Sequence, residues 1–113
     1  MTRFWLSLDY ATKFVEKCLE RMKGGELFVP RIPSMRIVDL ISSIDVNWPV
    51  KNIGIRPGEK LHEEMISKDD SRRTIKLSNR YIVMPVAAKW GFVIPEGEPV
   101  EDGFSYRSDN NDL

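Results

Sequence analysis

The stretch Ser7-Leu-Asp-Tyr-Ala-Thr-Lys-Phe-Val-Glu-Lys-Cys-Leu-Glu-Arg-Met-Lys-Gly-Gly-Glu-Leu-Phe-Val-Pro30 decides the fold class of this chain. Its first part places apolar residues at helical spacing between charged ones, with Ser7 as a candidate N-cap. Gly24-Gly25 is typical of a helix C-terminus. Glu26–Pro30 then predicts a short strand that proline closes. A long amphipathic helix followed directly by a strand indicates a domain of mixed helices and strands.

Shorter elements are predicted along the rest of the chain. Pro33 favours an extended Arg31–Met35, because it biases the preceding residue away from helix. The other predicted elements are a helix of about 8–10 residues from Ile37, a strand over Val50–Ile55, a short helix over Glu59–Ile66, and strands over Thr74–Leu77 and Tyr81–Pro85. We interpret Lys68–Arg73 as a charged, solvated stretch and Glu96–Gly103 as an acidic, mobile loop. This pattern predicts a small α/β or α+β domain with a thin core.

Length and charge bound the function. The 113 residues allow one small domain. Lys and Arg number 17, as do Asp and Glu, and this balance argues against a dedicated nucleic-acid binder. The balance hides an asymmetry, because residues 1–90 carry 16 basic and 11 acidic side chains while residues 91–113 carry one and six. We therefore divide the chain into a body, residues 1–90, and an acidic, polar tail, residues 91–113.

Cysteine usage and hydropathy bound the compartment. The one cysteine, Cys18, has no disulfide partner, and with the lone His62 it is too little for a structural metal site. Cys18 lies on the apolar face of the first predicted helix and is interpreted as a small buried hydrophobe. No apolar run approaches the length of a membrane span, and no signal peptide is visible. We expect a cytoplasmic protein.

The densest candidate site is Gly54-Ile-Arg-Pro-Gly-Glu-Lys-Leu-His-Glu63. Pro57 and Gly58 restrict the turn while letting a ligand approach the backbone. On such a loop, Arg56 would present a planar fork to a phosphate. Glu59 would accept from a sugar hydroxyl or orient Arg56. The alternative is a tight surface turn with an ion pair.

Three further features have both a functional and a structural interpretation. Arg3, flanked by aromatic residues, is either held at a site or frayed at the N-terminus. His62 is either a general base or a packing or surface histidine. The polar run Tyr106–Asn111 either closes over a ligand or is disordered. The sequence alone leaves these alternatives open.

Several motifs are absent. No glycine-rich dinucleotide fingerprint follows a strand, and no Walker loop occurs. No tyrosine has a lysine four residues later. The chain by itself therefore predicts no cofactor and no catalytic residue for nicotinamide chemistry.

Together the separated motifs are similar to a known family. Met1-Thr-Arg-Phe-Trp5, Gly24–Met35 and Gly54–Glu63 stand in the order and spacing of the C-terminal part of the inverting UDP-N-acetylglucosamine 4,6-dehydratases. These are extended short-chain dehydrogenase/reductases of polysaccharide biosynthesis, including the pseudaminic-acid branch. Arg80–Pro85 and Tyr106–Asn111 also keep their places, so the resemblance covers essentially the whole chain.

The resemblance implies a substrate-side subdomain without its Rossmann half. In the family the Rossmann half holds NADP and the catalytic residues, and the enzyme oxidises the sugar at C4, eliminates water across C5 and C6, returns the hydride to C6 and inverts C5. Met1 corresponds to an internal methionine of the family, and the chain stops short of the family's final helix. The substrate-binding residues carried over by resemblance are Arg3, Arg56, Glu59, Tyr106, Ser108 and Asn110, with the two arginines on the UDP diphosphate. The basic body suits that ligand.

The expected partners follow from the same resemblance. They are a UDP-sugar and either the missing Rossmann half or further copies of this chain, since apolar surface cut from its partner favours self-association. We expect the chain to bind substrate and to be inactive alone. The alternative is a standalone UDP-sugar-binding or interaction module that pairs with a separate Rossmann subunit.

Overall fold

The computed structural model describes residues 1–85 and 97–111 and confirms a mixed fold of helices and antiparallel sheets. Its strands are β1 Thr2–Phe4, β2 Leu27–Pro30, β3 Ser34–Arg36, β4 Glu64–Ile66, β5 Thr74–Lys76, β6 Arg80–Val83, β7 Glu98–Pro99 and β8 Tyr106–Arg107. Its α-helices are α1 Leu8–Arg21 and α2 Ile37–Ile44, and a 3-10 helix covers Lys68–Arg73. The two predicted α-helices and the strands around β2, β5 and β6 are therefore confirmed.

A four-stranded antiparallel sheet in the order β2-β6-β5-β7 forms the centre of the structure, and the pairs β1-β3 and β4-β8 flank it. The buried cluster on this sheet consists of Val29, Ile66, Tyr81, Val83 and Tyr106. Because Tyr106 belongs to β8, the end of the described chain closes the core. The core is thin, as the sequence predicts.

Helix α1 begins at the predicted N-cap, but its C-cap is Met22 in extended backbone rather than Gly24-Gly25, and its apolar face is only partly covered. The Ser7 hydroxyl accepts from the Tyr10 amide at 3.1 Å, and the Met22 amide donates to the Cys18 carbonyl at 2.8 Å. Val15 and Leu19 on the apolar face nevertheless remain 57% and 63% exposed. A surface helix normally buries this stripe against a core. The predicted helix is therefore confirmed, but none of its residues is fully buried against the rest of the described chain.

Two predicted elements between residues 50 and 66 are wrong. Val50–Ile55 forms no strand: it pairs with none of the described strands, and its apolar side chains are largely exposed. Glu59–Ile66 forms no helix. Its end is strand β4, which pairs with β8 through Glu64 opposite Arg107 and Ile66 opposite Tyr106. Tertiary pairing with a distant segment outweighs the local helical preference here.

The acidic segment and the charged stretch are more ordered than predicted. Glu98–Pro99 pairs with β5, so a loop is the wrong description of these two residues. Lys68–Arg73 is a 3-10 helix rather than a merely solvated stretch, because the buried Ser71 hydroxyl accepts from the Gly103 amide at 3.0 Å and donates to Lys68 O at 2.7 Å. Glu96 and the predicted boundary between residues 90 and 91 lie outside the described residues.

Candidate functional site

The Arg56 loop is a self-contained turn that projects from the domain. The Arg56 amide donates to Glu59 Oε2 at 3.0 Å, and the Glu59 amide donates back to the Arg56 carbonyl at 3.1 Å. Arg56 Nε lies 3.8 Å from Glu59 Oε1, with the arginine side chain 71% exposed. Glu59 thus fixes the turn and partly orients the guanidinium, while most of the guanidinium surface faces solvent.

Arg3 joins strand β1 to the end of this loop. Its guanidinium donates to the Lys60 carbonyl at 2.8 Å, to the Leu61 carbonyl at 3.2 Å and to the Thr2 carbonyl at 2.7 Å. Its Nε lies 3.7 Å from Glu63 Oε1. Arg3 is therefore not frayed. Its side chain is bound to the carbonyl of Lys60, the residue after Glu59, and places a positive charge at the end of the Arg56 loop.

A polar cluster, consisting of Thr2, His62, Glu63 and Ser108, lies behind Arg3. Thr2 Oγ1 is 2.6 Å from His62 Nδ1 and 2.6 Å from Ser108 Oγ. Ser108 Oγ accepts from the Glu63 amide at 2.8 Å, and the Ser108 amide donates to the Glu63 carbonyl at 2.9 Å. Glu63 Oε2 accepts from the Phe4 amide at 3.0 Å. The cluster ties three distant segments into one structure.

Tyr106 and Asn110 are engaged inside the domain. The Tyr106 hydroxyl accepts from the Ile32 amide at 3.0 Å and donates to the Ile32 carbonyl at 3.1 Å, with the side chain buried. Asn110 Oδ1 accepts from the Arg107 amide at 2.8 Å, and its Nδ2 donates to the Ser105 carbonyl at 2.9 Å. These contacts hold the turn that presents Ser108.

Two cavities border the tail segment. One of about 470 Å³ is lined by Thr2, Ser34, Met35, Arg36, Asp39, Ser108 and Asp109, and its volume falls within the range usual for small-molecule sites. Arg36 in its wall makes two 2.9 Å bonds to Asp39, which lower the pKa of that carboxyl. Tyr106 and Asn110 line a separate cavity of about 160 Å³. Ser108 therefore faces one cavity and Tyr106 and Asn110 the other, while Arg3, Arg56 and Glu59 line neither of the two.

Residues predicted from three separate motifs do converge in part. Arg3 and Ser108 both contact the segment Lys60–Glu63 that follows Arg56 and Glu59, whereas Tyr106 and Asn110 lie on the far side of the Ser108 turn. Thr2 and Glu63 lie within the Met1–Trp5 and Gly54–Glu63 motifs, but the sequence alone assigns no role to either. The only signal for them is position, since Thr2 stands next to Arg3 and Glu63 next to His62.

Other potential chemistry is limited. Cys18 is only partly buried, whereas the sequence predicts a buried side chain; desolvation raises the pKa of its thiol, although Arg80 and Arg21 act in the opposite direction. In the part of the chain that the structure describes, no group of three or more His, Cys, Asp or Glu side chains is arranged to hold a metal ion. Among the same residues, no helix is both long and apolar enough to cross a bilayer.

Comparison with known proteins identifies the family of this chain. The sequence model of the family described as "Polysaccharide biosynthesis protein" matches residues 1–85. The chain belongs to this family.

Two curated relatives extend the match to nearly the whole chain. The UDP-N-acetylglucosamine 4,6-dehydratase (inverting) of Campylobacter jejuni serotype O:2 is 51% identical over 100% of this chain, and that of serotype O:23/36 is 50% identical over 98%. In each case the match is to the C-terminal part of the relative and covers 36% of its length. The chain thus spans about a third of the curated relatives it matches.

A solved structure supports the same fold. The X-ray structure of Pen from Bacillus thuringiensis is 27% identical, with a TM-score of 0.77 over 99% of this chain and 34% of that chain. The fold is therefore that of a small subdomain within a longer extended short-chain dehydrogenase/reductase-like protein.

Proposed function

We propose that this chain supplies the substrate-binding side of a UDP-N-acetylglucosamine 4,6-dehydratase and binds the UDP moiety. The 51% identity to the C-terminal part of an inverting dehydratase supports this assignment. The pathway would be the synthesis of a nucleotide sugar for a surface polysaccharide or glycan, of which pseudaminic acid is one product. A lone cysteine without a disulfide partner fits the cytoplasm as its compartment.

The exposed guanidinium of Arg56 is the observation that carries the proposal. A planar guanidinium binds phosphate oxygens bidentately, and each such charge-assisted pair is stronger than a neutral hydrogen bond. Glu59 fixes the backbone of the turn, so Arg56 loses little freedom on meeting a diphosphate. A neighbouring carboxylate at 3.8 Å orients the group without covering it. The loop is thus built to present a cation to an anion in solution.

The other predicted residues would support the ligand from behind this loop. Arg3 would add positive charge next to Glu59, where it holds the Lys60 carbonyl, and Glu59 would accept from a ribose hydroxyl. Ser108 borders the 470 Å³ cavity that would take part of the ligand. Tyr106 and Asn110 would serve as the anchors that keep Ser108 in place.

NADP does not fit the residues of this chain. Dinucleotide sites need a glycine-rich turn between a strand and a helix, so that the pyrophosphate reaches the helix N-terminus. Strand β1 enters α1 through Trp5-Leu6-Ser7, and β3 runs directly into α2, so neither described turn contains glycine. The proposal therefore assigns the cofactor and the catalytic residues to a region outside residues 1–113, and the chain is inactive alone.

The alternative, a binding module that pairs with a separate Rossmann subunit, is favoured by a segment whose apolar side chains are exposed. These side chains are those of Ile44, Val46, Trp48, Val50, Ile53 and Ile55, each more than half exposed. Exposed apolar surface of this extent is typical of interaction sites. Sedimentation of the purified chain, alone and with a cofactor-binding half of the C. jejuni relative, distinguishes self-association from pairing.

Titration calorimetry with UDP tests the proposed function. We expect Arg56→Ala to weaken UDP binding about 10- to 100-fold, because a charge-assisted hydrogen bond contributes about 1.5–3 kcal/mol. Binding of uridine, which lacks the diphosphate, should not change.

Arg72→Ala is the matched control. Arg72 is 79% exposed and pairs with Asp102 at 3.4 Å, so the variant removes an equally exposed arginine with a carboxylate neighbour. Its UDP affinity should stay within twofold of the unmodified chain. Equal losses in the two variants, or no UDP binding by the unmodified chain, would refute a diphosphate role for Arg56.

A further inference from the structure

The hydrogen bonds within the polar cluster behind Arg3 run in one donor-to-acceptor direction. A backbone N–H can only donate, so Ser108 Oγ accepts from the Glu63 amide. Among the described residues, the remaining contact of the Ser108 hydroxyl is Thr2 Oγ1, and the serine is 4% exposed. The Ser108 hydrogen therefore goes to Thr2, because any other direction leaves a buried O–H without an acceptor.

The next link joins Thr2 to the histidine. Thr2 Oγ1 accepts from Ser108, and its own hydrogen is free to be donated to His62 Nδ1, 2.6 Å away. In this direction Nδ1 accepts, and the hydrogen of the ring lies on Nε2. The Nε2–H side faces Asp109 Oδ2 at 4.0 Å, and Arg107 engages both oxygens of that carboxylate.

We propose that Thr2 is a positioning residue for the Arg56 loop. Its hydroxyl completes a one-way chain from the Glu63 amide through Ser108 to His62, and this chain joins the tail, strand β1 and the base of the loop. The segment from Asp45 to Glu63, which contains this loop, forms no helix or strand. Its attachment at Lys60–Glu63 therefore determines the position of Arg56. The ligand-directed part of this inference rests on the proposed UDP function.

The matched variants are Thr2→Val, which removes the hydroxyl but keeps the side-chain shape, and Thr2→Ser, which keeps the hydroxyl. His62 is the only histidine, so long-range ¹H–¹⁵N spectra report its tautomer without assignment ambiguity. We expect the Nε2–H tautomer in the unmodified chain and in Thr2→Ser, and a mixture of tautomers in Thr2→Val. Amide hydrogen exchange at Glu63 and Ser108, whose amides are bonded within the cluster, should accelerate in Thr2→Val only, and UDP affinity should fall about fivefold to tenfold, with Thr2→Ser within twofold.

The outcomes separate this inference from the proposed function. An Nδ1–H tautomer in the unmodified chain, or unchanged amide exchange in Thr2→Val, overturns the hydrogen-bond chain. Altered exchange with unchanged UDP affinity overturns the positioning role. If the unmodified chain binds no UDP, the proposed function and the positioning of Arg56 for it both fail, while the spectra still decide whether the chain of hydrogen bonds exists.

Discussion

Tyr106→Ala is expected to lower the free energy of unfolding by about 3–5 kcal/mol, the usual cost of deleting a buried aromatic side chain. Tyr106 is 3% exposed, and its ring centroid lies 5.0 Å from those of both Phe4 and Tyr81. Its hydroxyl bridges the amide and carbonyl of Ile32. Since small domains are stable by only about 5–15 kcal/mol, this loss is a large fraction of the total. Urea unfolding followed by circular dichroism measures it.

Tyr106→Phe is the matched variant, because it keeps the ring and removes only the hydroxyl. Asn111 Nδ2 still donates to the Ile32 carbonyl at 2.6 Å, so the group left without its partner is the Ile32 amide. We expect a loss of about 1–3 kcal/mol. A Tyr106→Ala variant as stable as Tyr106→Phe would contradict the position of this ring at the centre of the core.

Ile66→Ala is expected to cost about 2–5 kcal/mol. Ile66 is 0% exposed and stands on β4 opposite Tyr106, where the flanking β4-β8 pair meets the central cluster. Removing its outer carbons leaves a cavity that the short strands on either side cannot easily fill, and the cost includes both lost transfer energy and the cavity. The same urea measurement applies.

Two variants calibrate this result. Ile66→Val removes one methylene and should cost about 0.5–1.5 kcal/mol. Ile53→Ala removes the same atoms from a side chain that is 68% exposed, so its effect should lie within about 0.5 kcal/mol of zero. A large effect at Ile53 with none at Ile66 would contradict the burial of Ile66 and the exposure of Ile53 in this structure.

The sequence predicts those elements of the fold whose signals are local. Helix α1 carries its N-cap and its apolar period within one stretch, although it ends at Arg21, before the predicted glycine cap, and strands β5 and β6 are short runs separated by a turn. Glu59–Ile66 fails because its conformation depends on Tyr106–Arg107, 40 or more positions away in the chain. Val50–Ile55 fails because a strand also needs a partner strand, and this segment pairs with none of the described strands. The helical period of α1 likewise says nothing about what covers its apolar face.

The residues of the candidate site likewise divide into those with local sequence signals and those whose roles depend on distant segments. Arg56 and Glu59 are predictable from the turn residues between them. The chemistry of Arg3 is predictable only by resemblance, because nothing local says that its guanidinium reaches the Lys60 carbonyl. Thr2 and Glu63 lie inside two of the quoted motifs, but their roles arise only when β1, β4 and the tail meet. The domain boundary and the substrate contacts stay predictions.

The most direct test of UDP binding at the Arg56 loop is a ¹H–¹⁵N correlation spectrum of the labelled chain titrated with UDP. We expect saturable chemical-shift changes concentrated at Arg56–Glu63 and at Thr2–Arg3, with smaller changes at Ser108 and little change along α1. Uridine should reproduce only part of them, because it lacks the diphosphate. Shifts confined to α1 or to the central sheet, or no saturable shift at millimolar UDP, would contradict UDP binding at this loop.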